Sequence, residues 1–171
     1  MNLYLGDIQS ALVDYNQALT LQPDFASASF QRGIVKVRLG DLQGAVTDFN
    51  QSIALKPDHA DAYRGRATAK WKLGDSRGAL ADYTQVITLE PGHSRDYSDR
   101  GLVKAKLRDL TGAVADCSQA ITFDPSNAIA YYLRSLAREK LGDIKGAKED
   151  LALALKFHPS LPKPQVLDTT P

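Results

Sequence analysis

The stretch that decides the fold is VRLGDLQGAV, residues 37–46, because related copies of it recur along the chain. WKLGDSRGAL begins at residue 71, AKLRDLTGAV at 105 and EKLGDIKGAK at 139, and a shorter match, LGD, lies at residues 5–7. The step between copies is 34 residues. Single residues recur at the same step without insertion, and each such set is called a column here. One column is Ala11, Ala45, Ala79, Ala113 and Ala147, and another is Pro23, Pro57, Pro91, Pro125 and Pro159. A constant period of this length indicates a stacked repeat protein.

Each repeat has the pattern of two helices joined by a short turn, as residues 60–93 illustrate. The segment ADAYRGRATAKWKL is rich in good helix formers. Gly74 suits the left-handed position that ends a helix, and Asp75 suits the N-cap of the next one. Pro91 ends the second helix. A lone helix pair cannot bury its apolar face, so the pattern predicts an all-α solenoid of antiparallel pairs.

The repeats resemble the tetratricopeptide repeat (TPR) family at its signature positions. In one repeat the matching residues are Tyr63, Ala67, Ala79, Tyr83, Val86 and Pro91. The resemblance extends from residue 1 to about residue 159, and it implies a right-handed superhelical solenoid of antiparallel helix pairs. Pentatricopeptide repeats, which read RNA bases, are disfavoured by the strict period and the closing proline.

The period also predicts the domain organisation. We expect one TPR-like domain over residues 1–159, with an incomplete first repeat, four full repeats and a proline-containing C-terminal tail. The segments in order are 1–25, 26–59, 60–93, 94–127, 128–159 and 160–171. Aligned to the period, Met1 falls near the middle of a first helix, so Met1–Tyr4 is expected to be frayed above an open apolar face.

Composition excludes several classes of protein. The formal net charge is +1 and 43% of the residues are apolar, so no global charge draws the chain to nucleic acid or anionic membranes. The single cysteine, Cys117, forms no intrachain disulfide. The sequence contains no apolar run of membrane-spanning length and no signal-peptide pattern, which makes a cytoplasmic location the default expectation.

No constellation of residues indicates catalysis, so we expect neither an enzyme nor a cofactor. His59, His93 and His158 recur at turns without a second ligand nearby, and we expect them to be exposed. Cys117 replaces an aromatic residue of the second helix and is expected to be a buried small hydrophobe.

Two columns depart from the family pattern by being charged. Arg32, Arg66, Arg100 and Arg134 stand where TPRs commonly have a Leu-like residue, and Asp14, Asp48, Asp82, Asp116 and Asp150 stand at a common aromatic position. Paired burial in a bidentate Arg–Asp ladder is the favoured interpretation, and an arginine row for phosphate or acidic peptides is the alternative.

Two further departures concern the first helix and its turn. Lys36, Lys70, Lys104 and Arg138 form a cationic column. Their stems are expected to pack while their heads reach water, although the heads could equally meet the Asp column. Arg108 occupies the turn position that is Gly40 or Gly74 elsewhere, which predicts a local soft spot.

The resemblance implies that the first helices line a concave groove that binds a peptide or protein partner. The groove residues it implies are Phe30, Ile34, Val37, Arg38, Arg64, Trp71, Lys72, Arg95, Leu102, Lys106, Tyr132, Leu136 and Lys140. The cations among them favour an acidic partner. The alternatives are self-association through the open N-terminal face and, less favoured, nucleic-acid binding through the lysine columns.

Overall fold

A computed structural model describes the backbone of residues 3–162 and the side chains of residues 7–162, and every regular element in this range is a helix. The helices in chain order are α1 (Leu3–Leu21), α2 (Ala26–Leu39), α3 (Leu42–Leu55), α4 (Ala60–Lys72), α5 (Ser76–Leu89), α6 (Ser94–Lys106), α7 (Leu110–Phe123), α8 (Ala128–Lys140) and α9 (Ile144–Phe157). Met1 and Asn2, which were expected to fray, and residues 163–171 of the tail lie outside the described residues.

The helices form two compact units, one ending at Glu90 and the other beginning at Pro91. In each unit, consecutive helices pack against each other, and the first helices of neighbouring repeats also meet: α2 with α4, and α6 with α8. The second helices, α3 and α5 or α7 and α9, approach each other less closely. Each unit is therefore a stack of helix pairs whose first helices lie on the inner side.

The first repeat differs from the expected pattern at Gly6 and Asp7. The sequence places a turn there, but α1 continues through both residues as one helix of 19 residues. Extending the following helix instead gives these residues intrahelical hydrogen bonds.

The turns within the full repeats follow one geometry. Gly40, Gly74 and Gly142 have φ values of 85°, 86° and 87°, and Arg108 has a φ of 69°. The expectation that Arg108 occupies a position suited to glycine is therefore confirmed. Because a side chain at positive φ clashes with its own backbone, this turn is strained by about 1 kcal/mol.

Replacing Arg108 with Gly is expected to raise the free energy of unfolding by about 1 kcal/mol, because glycine adopts this backbone conformation without a steric cost. The reciprocal control is Gly74→Arg. An added Cβ at Gly74 would meet nothing within 4 Å, so backbone strain alone should make this variant less stable by a similar amount. Urea unfolding followed by circular dichroism checks both, and a stability loss in Arg108→Gly would contradict the assignment.

The second helix of each full repeat starts with an Asp N-cap. Asp41 accepts a hydrogen bond from the backbone N–H of Gly44 at 2.9 Å, and the same bond recurs at Asp75, Asp109 and Asp143. A Cβ at Gly44 would lie 2.1 Å from Asp41 Oδ2. Glycine therefore recurs three residues after each cap because the capping carboxylate fills the space of a side chain.

The core of the first unit centres on the ring of Phe49, which is fully buried. An added Cβ at Gly33 of α2 would lie 2.8 Å from this ring, and one at Gly65 of α4 would lie 2.7 Å from it. Ala45, Val46 and Ala69 complete the same cluster. The small residues let the first helices close onto the ring, and this contact fixes the spacing of α2 and α4.

Candidate partner-binding surface

The arginine and aspartate columns form the predicted ladder. Arg32 donates from Nε to Asp48 Oδ2 at 2.8 Å and from Nη2 to Asp48 Oδ1 at 2.6 Å. The same two-bond arrangement joins Arg66 to Asp82, Arg100 to Asp116 and Arg134 to Asp150. All four carboxylates are buried. The interpretation of these columns as a structural ladder is confirmed in the four full repeats, whereas Asp14, which was predicted to belong to it, is exposed.

Each ladder carboxylate also contacts a second cation. Lys36 Nζ lies 2.8 Å from Asp48 Oδ2, and the matching pairs are Lys70 with Asp82, Lys104 with Asp116 and Arg138 with Asp150. Of the two outcomes expected for these heads, contact with the Asp column is confirmed and extension into water is not, because a buried carboxylate attracts them more strongly than solvent does. Each set of two cations and one carboxylate therefore keeps a net charge of +1.

The ladder arginines have further partners that keep them in place. Arg32 Nη1 donates to Asn16 Oδ1 at 3.0 Å, and Arg66 and Arg134 reach back to Asn50 and Ser118 in the same way. Hydrogen bonding to Asp48 raises the pKa of Arg32 above its ordinary value. Three of these arginines are held at three atoms and Arg100 is held at two, so the row is a structural feature and the candidate binding surface lies elsewhere.

In the first unit, the predicted groove residues lie on the inner helices α2 and α4. Phe30, Ile34 and Val37 follow one side of α2, where they are half-buried and pack against the Phe49 cluster. The core thus covers part of this apolar row and leaves the rest of its surface open. Arg38 follows the row in the last turn of α2 and is exposed.

The groove residues of α4 have mixed environments. Trp71 is half-buried and Lys72 is exposed. Arg64 is already engaged, because it pairs with Asp61 and with Glu90 Oε2, the latter at 3.1 Å. Trp71 and Lys72 therefore offer contact surface directly, whereas Arg64 would have to exchange partners to bind a ligand.

In the second unit, the groove residues lie on α6 and α8. Leu102, Tyr132 and Leu136 are half-buried, whereas Lys106 and Lys140 are exposed at the ends of their helices. The inner helices of the second unit thus repeat the arrangement of the first unit, in which half-buried apolar residues are followed by an exposed cation at the end of the helix. This recurrence shows that the arrangement belongs to the repeat and not to one helix.

A cavity of about 530 Å³ opens beside the N-terminal ends of α6 and α8. Arg95 and Ile129 line it from the groove columns, and Phe157 lines it from α9. The side chain of Arg95 is 87% exposed and lies 3.6 Å from Asp99. Such a cavity offers a guanidinium and apolar surface to one ligand.

A polar connection that the sequence does not indicate shapes this cavity. Asn127 caps α8 by accepting from the backbone N–H of Ala130, and it donates to Ser94 Oγ at 2.8 Å and Ser98 Oγ at 3.0 Å. The bonds fix the start of α8 against α6. The only sequence signal was the N-cap preference of Asn127, since its serine partners are far from it along the chain.

The histidines only partly match the expectation of exposure. His93 and His158 are exposed, but His59 is half-buried. The His59 ring lies 4.7 Å from the Phe30 ring, and its Nδ1 lies 3.0 Å from Ser52 Oγ. The exposure predicted for His59 is therefore wrong, because Phe30 provides an aromatic surface on which the ring packs.

Cys117 is buried as expected, and burial raises the pKa of its thiol to about 12. A thiol held neutral in this way is a poor nucleophile. Among the described residues, no group of His, Cys, Asp or Glu side chains is arranged to hold a metal ion. Within the same range, no helix combines the length and apolar character needed to cross a membrane.

The fold and ladder define a helical repeat protein built from 34-residue helix pairs. The chain belongs to the tetratricopeptide repeat family: sequence profiles of that family match residues 5–70, 64–128 and 128–160. The class of protein is thus an interaction scaffold of the TPR type. A comparison with curated proteins gave no match.

Solved structures share the fold over most of the chain. A MamA crystal structure is 21% identical and covers 91% of each chain with a TM-score of 0.87. MamA from Desulfovibrio magneticus RS-1 is 23% identical, and the match covers 94% of the present chain and 91% of the MamA chain with a TM-score of 0.85. YrrB, described as a TPR protein with an unusual peptide-binding site, is 22% identical. The match covers 92% of the present chain and 81% of the YrrB chain with a TM-score of 0.83. At these identities the likeness shows the fold alone.

Proposed function

We propose that this protein is a non-catalytic scaffold that binds a peptide or protein partner on the inner faces of its units, with acidic residues in the partner. The observation that carries the proposal is the apolar row Phe30, Ile34 and Val37, which keeps open surface although it packs on the core. Partly buried aromatic and aliphatic side chains are suited to partner contact because their positions are already fixed. The description of YrrB as peptide-binding supports the same class of partner.

The preference for an acidic partner rests on cations that have no role in the ladder. Each inner helix has two cations in its last turn, and the ladder carboxylate engages the first of them. Arg38 and Lys72 are the remaining two in the first unit, and both are exposed. Exposed cations at the edge of an apolar surface steer acidic partners and raise the association rate.

The first test is a selection of displayed random peptides on the natural chain, followed by affinity measurements with two variants. The double variant Phe30→Ala and Trp71→Ala is expected to weaken the selected peptides at least about 10-fold, which corresponds to about 1.4 kcal/mol. The matched control, Val13→Ala with Leu55→Ala, removes exposed apolar side chains from other helices and should leave affinity unchanged.

Charge reversal tests the same surface without disturbing the core. Arg38→Glu with Lys72→Glu is expected to slow association and to reduce its salt dependence, whereas Lys56→Glu with Arg77→Glu, at other exposed positions, should not. Unchanged affinity in both the apolar and the charge-reversed variants would contradict the proposal.

The two alternatives differ in their support. Ala11 and Ala18 of α1 are half-buried, whereas the residues of the same two columns are buried in every later repeat, so α1 keeps apolar surface that self-association could cover. The cations Lys36, Lys70 and Lys104, which suggested nucleic-acid binding, are paired with the ladder. Light scattering and salt-dependent oligonucleotide binding test these alternatives directly.

A further inference from the structure

One side of α1 is uncovered, although the same side of each later second helix is packed. It consists of Ala11, Asp14, Tyr15 and Ala18, whose spacing of three and four residues places them on one face of the helix, called the α1 face here. Asp14 is exposed, and the other three residues are half-buried. The residues of the same four columns in the later repeats are buried, with the half-buried Leu151 as the exception. The α1 face thus has the residues of a packed helix surface without its cover.

The later repeats show which element covers such a face. In the first unit, α3 packs against α2 and α5 packs against α4, so each of these second helices is covered by the first helix of its own repeat. The second helix α3 also packs against α4 of the next repeat, and α1 packs against α2 in the same way. The place that stays open on α1 is therefore the place of a first helix.

Charge specifies the helix that would fit this place. In the full repeats the first helix supplies two cations to the ladder carboxylate, as Arg66 and Lys70 do for Asp82. Asp14 belongs to the same column, and no lysine or arginine in the described part of the chain forms an ion pair with it. The helix α1 itself contains Asp7 and Asp14 and neither lysine nor arginine. A helix with an arginine and a second cation four residues later would complement this acidic face.

The size of the residue after the arginine is also restricted. Gly33 follows the arginine in α2, and an added Cβ there would lie 2.8 Å from the Phe49 ring. Gly101 follows it in α6, and an added Cβ there would lie 3.1 Å from Cys117 Sγ. Tyr15 occupies the column of Phe49 and Cys117 on α1. A helix that covers the α1 face therefore needs a small residue directly after its arginine, as the first helix of each full repeat has.

A second copy of this chain does not meet these requirements. Two α1 faces placed against each other would bring Asp14 close to the same carboxylate of the other copy, and like charges repel. The helices of the chain that carry the required arginine are already bound in their own ladders. The occupant that fits is a helix of another protein.

We propose that the α1 face binds an amphipathic helix of a partner protein that carries an arginine, a small residue directly after it, and a lysine or arginine four residues after the first arginine. Its two cations bind Asp14 in the ladder geometry, and its small residue packs on Tyr15. A helix that lays one face into an apolar groove is a recurring mode of recognition. The bound helix completes the first repeat, and this basic ligand differs from the acidic partner proposed for the inner faces.

The test is a titration of the full chain, labelled with ¹⁵N, with a synthetic peptide that has the sequence of residues 60–72 and blocked ends, followed by amide chemical shifts. This sequence carries the required pattern, with Ala67 as the small residue, and in the chain its helix α4 contacts Tyr83, the counterpart of Tyr15. We expect saturable shifts centred on residues 11–18. Absence of saturable shifts would overturn the proposal. Shifts centred on α3 or α5 would also overturn it, because the peptide would then replace a helix of the chain itself.

Two peptide variants of equal charge separate the ladder contact from general attraction. Arg66→Gln with Lys70→Gln removes the ladder cations and should weaken binding at least about 10-fold, because charge-assisted hydrogen bonds are lost. Arg64→Gln with Lys72→Gln removes two cations that lie outside the ladder in the chain, and it should weaken binding by no more than about 3-fold. Equal weakening by the two variants would refute the ladder contact.

Variants of the chain locate the site. Asp14→Asn keeps the shape of the side chain and removes its charge, so it should weaken binding of the natural-sequence peptide about 10-fold. Asp24→Asn, at an exposed position outside α1, should leave the affinity unchanged. Sedimentation velocity of the chain alone shows whether its copies associate. Unchanged affinity in Asp14→Asn, or self-association that the peptide cannot displace, would contradict the proposal.

Discussion

Replacing Arg66 with Leu is expected to lower the free energy of unfolding by about 3 kcal/mol. The change removes the 2.9 and 2.5 Å hydrogen bonds to Asp82 and leaves Lys70 as the remaining cation on a buried carboxylate. Removing one partner of a buried ion pair typically costs about 3–5 kcal/mol, and the retained lysine favours the lower end of that range. Urea unfolding measured by circular dichroism gives the value.

Two further variants show whether the loss comes from the unpaired carboxylate. Arg77→Leu makes the same change at an exposed position and should alter stability by no more than about 0.5 kcal/mol. The double variant Arg66→Leu with Asp82→Tyr restores the apolar residues common in the family and should recover most of the loss. If Arg66→Leu were no more damaging than Arg77→Leu, the ladder would have no structural role.

Replacing Phe49 with Ala is expected to cost about 4 kcal/mol, because its ring is fully buried and fills the space between two glycines. Gly33 and Gly65 have no side chains that could move into the cavity, so the site cannot collapse easily. Cys117→Ala is the matched control in the same column, and loss of its smaller side chain should cost only about 1 kcal/mol.

The fit between Phe49 and Gly65 has a second consequence that a mutant cycle can measure. In the natural chain Gly65→Ala should destabilise, because the new Cβ would lie 2.7 Å from the ring. In the Phe49→Ala background the same change should stabilise, since it fills empty space and improves helix propensity. An effect of the same sign in both backgrounds would contradict the packing described here.

The period and the residue columns predicted most of the fold, because each column repeats one local environment. The Arg–Asp ladder was predictable because neither charge tolerates burial without the other. The lysine contacts with the ladder were not, since a flexible side chain can reach either water or a carboxylate from the same position. The burial of His59 depended on a ring 29 residues earlier in the sequence, which no local pattern indicates.

The candidate surfaces were less predictable than the fold. The groove columns followed from the family resemblance, but the sequence did not reveal that Arg64 pairs with Asp61 and Glu90.

The most direct test of the central claim is to map a selected peptide on the ¹⁵N-labelled chain by its effect on amide chemical shifts. The account predicts saturable shifts concentrated on the inner helices, α2 and α4 in the first unit or α6 and α8 in the second. Shifts concentrated on α3, α5, α7 or α9, with the inner helices unaffected, would contradict it.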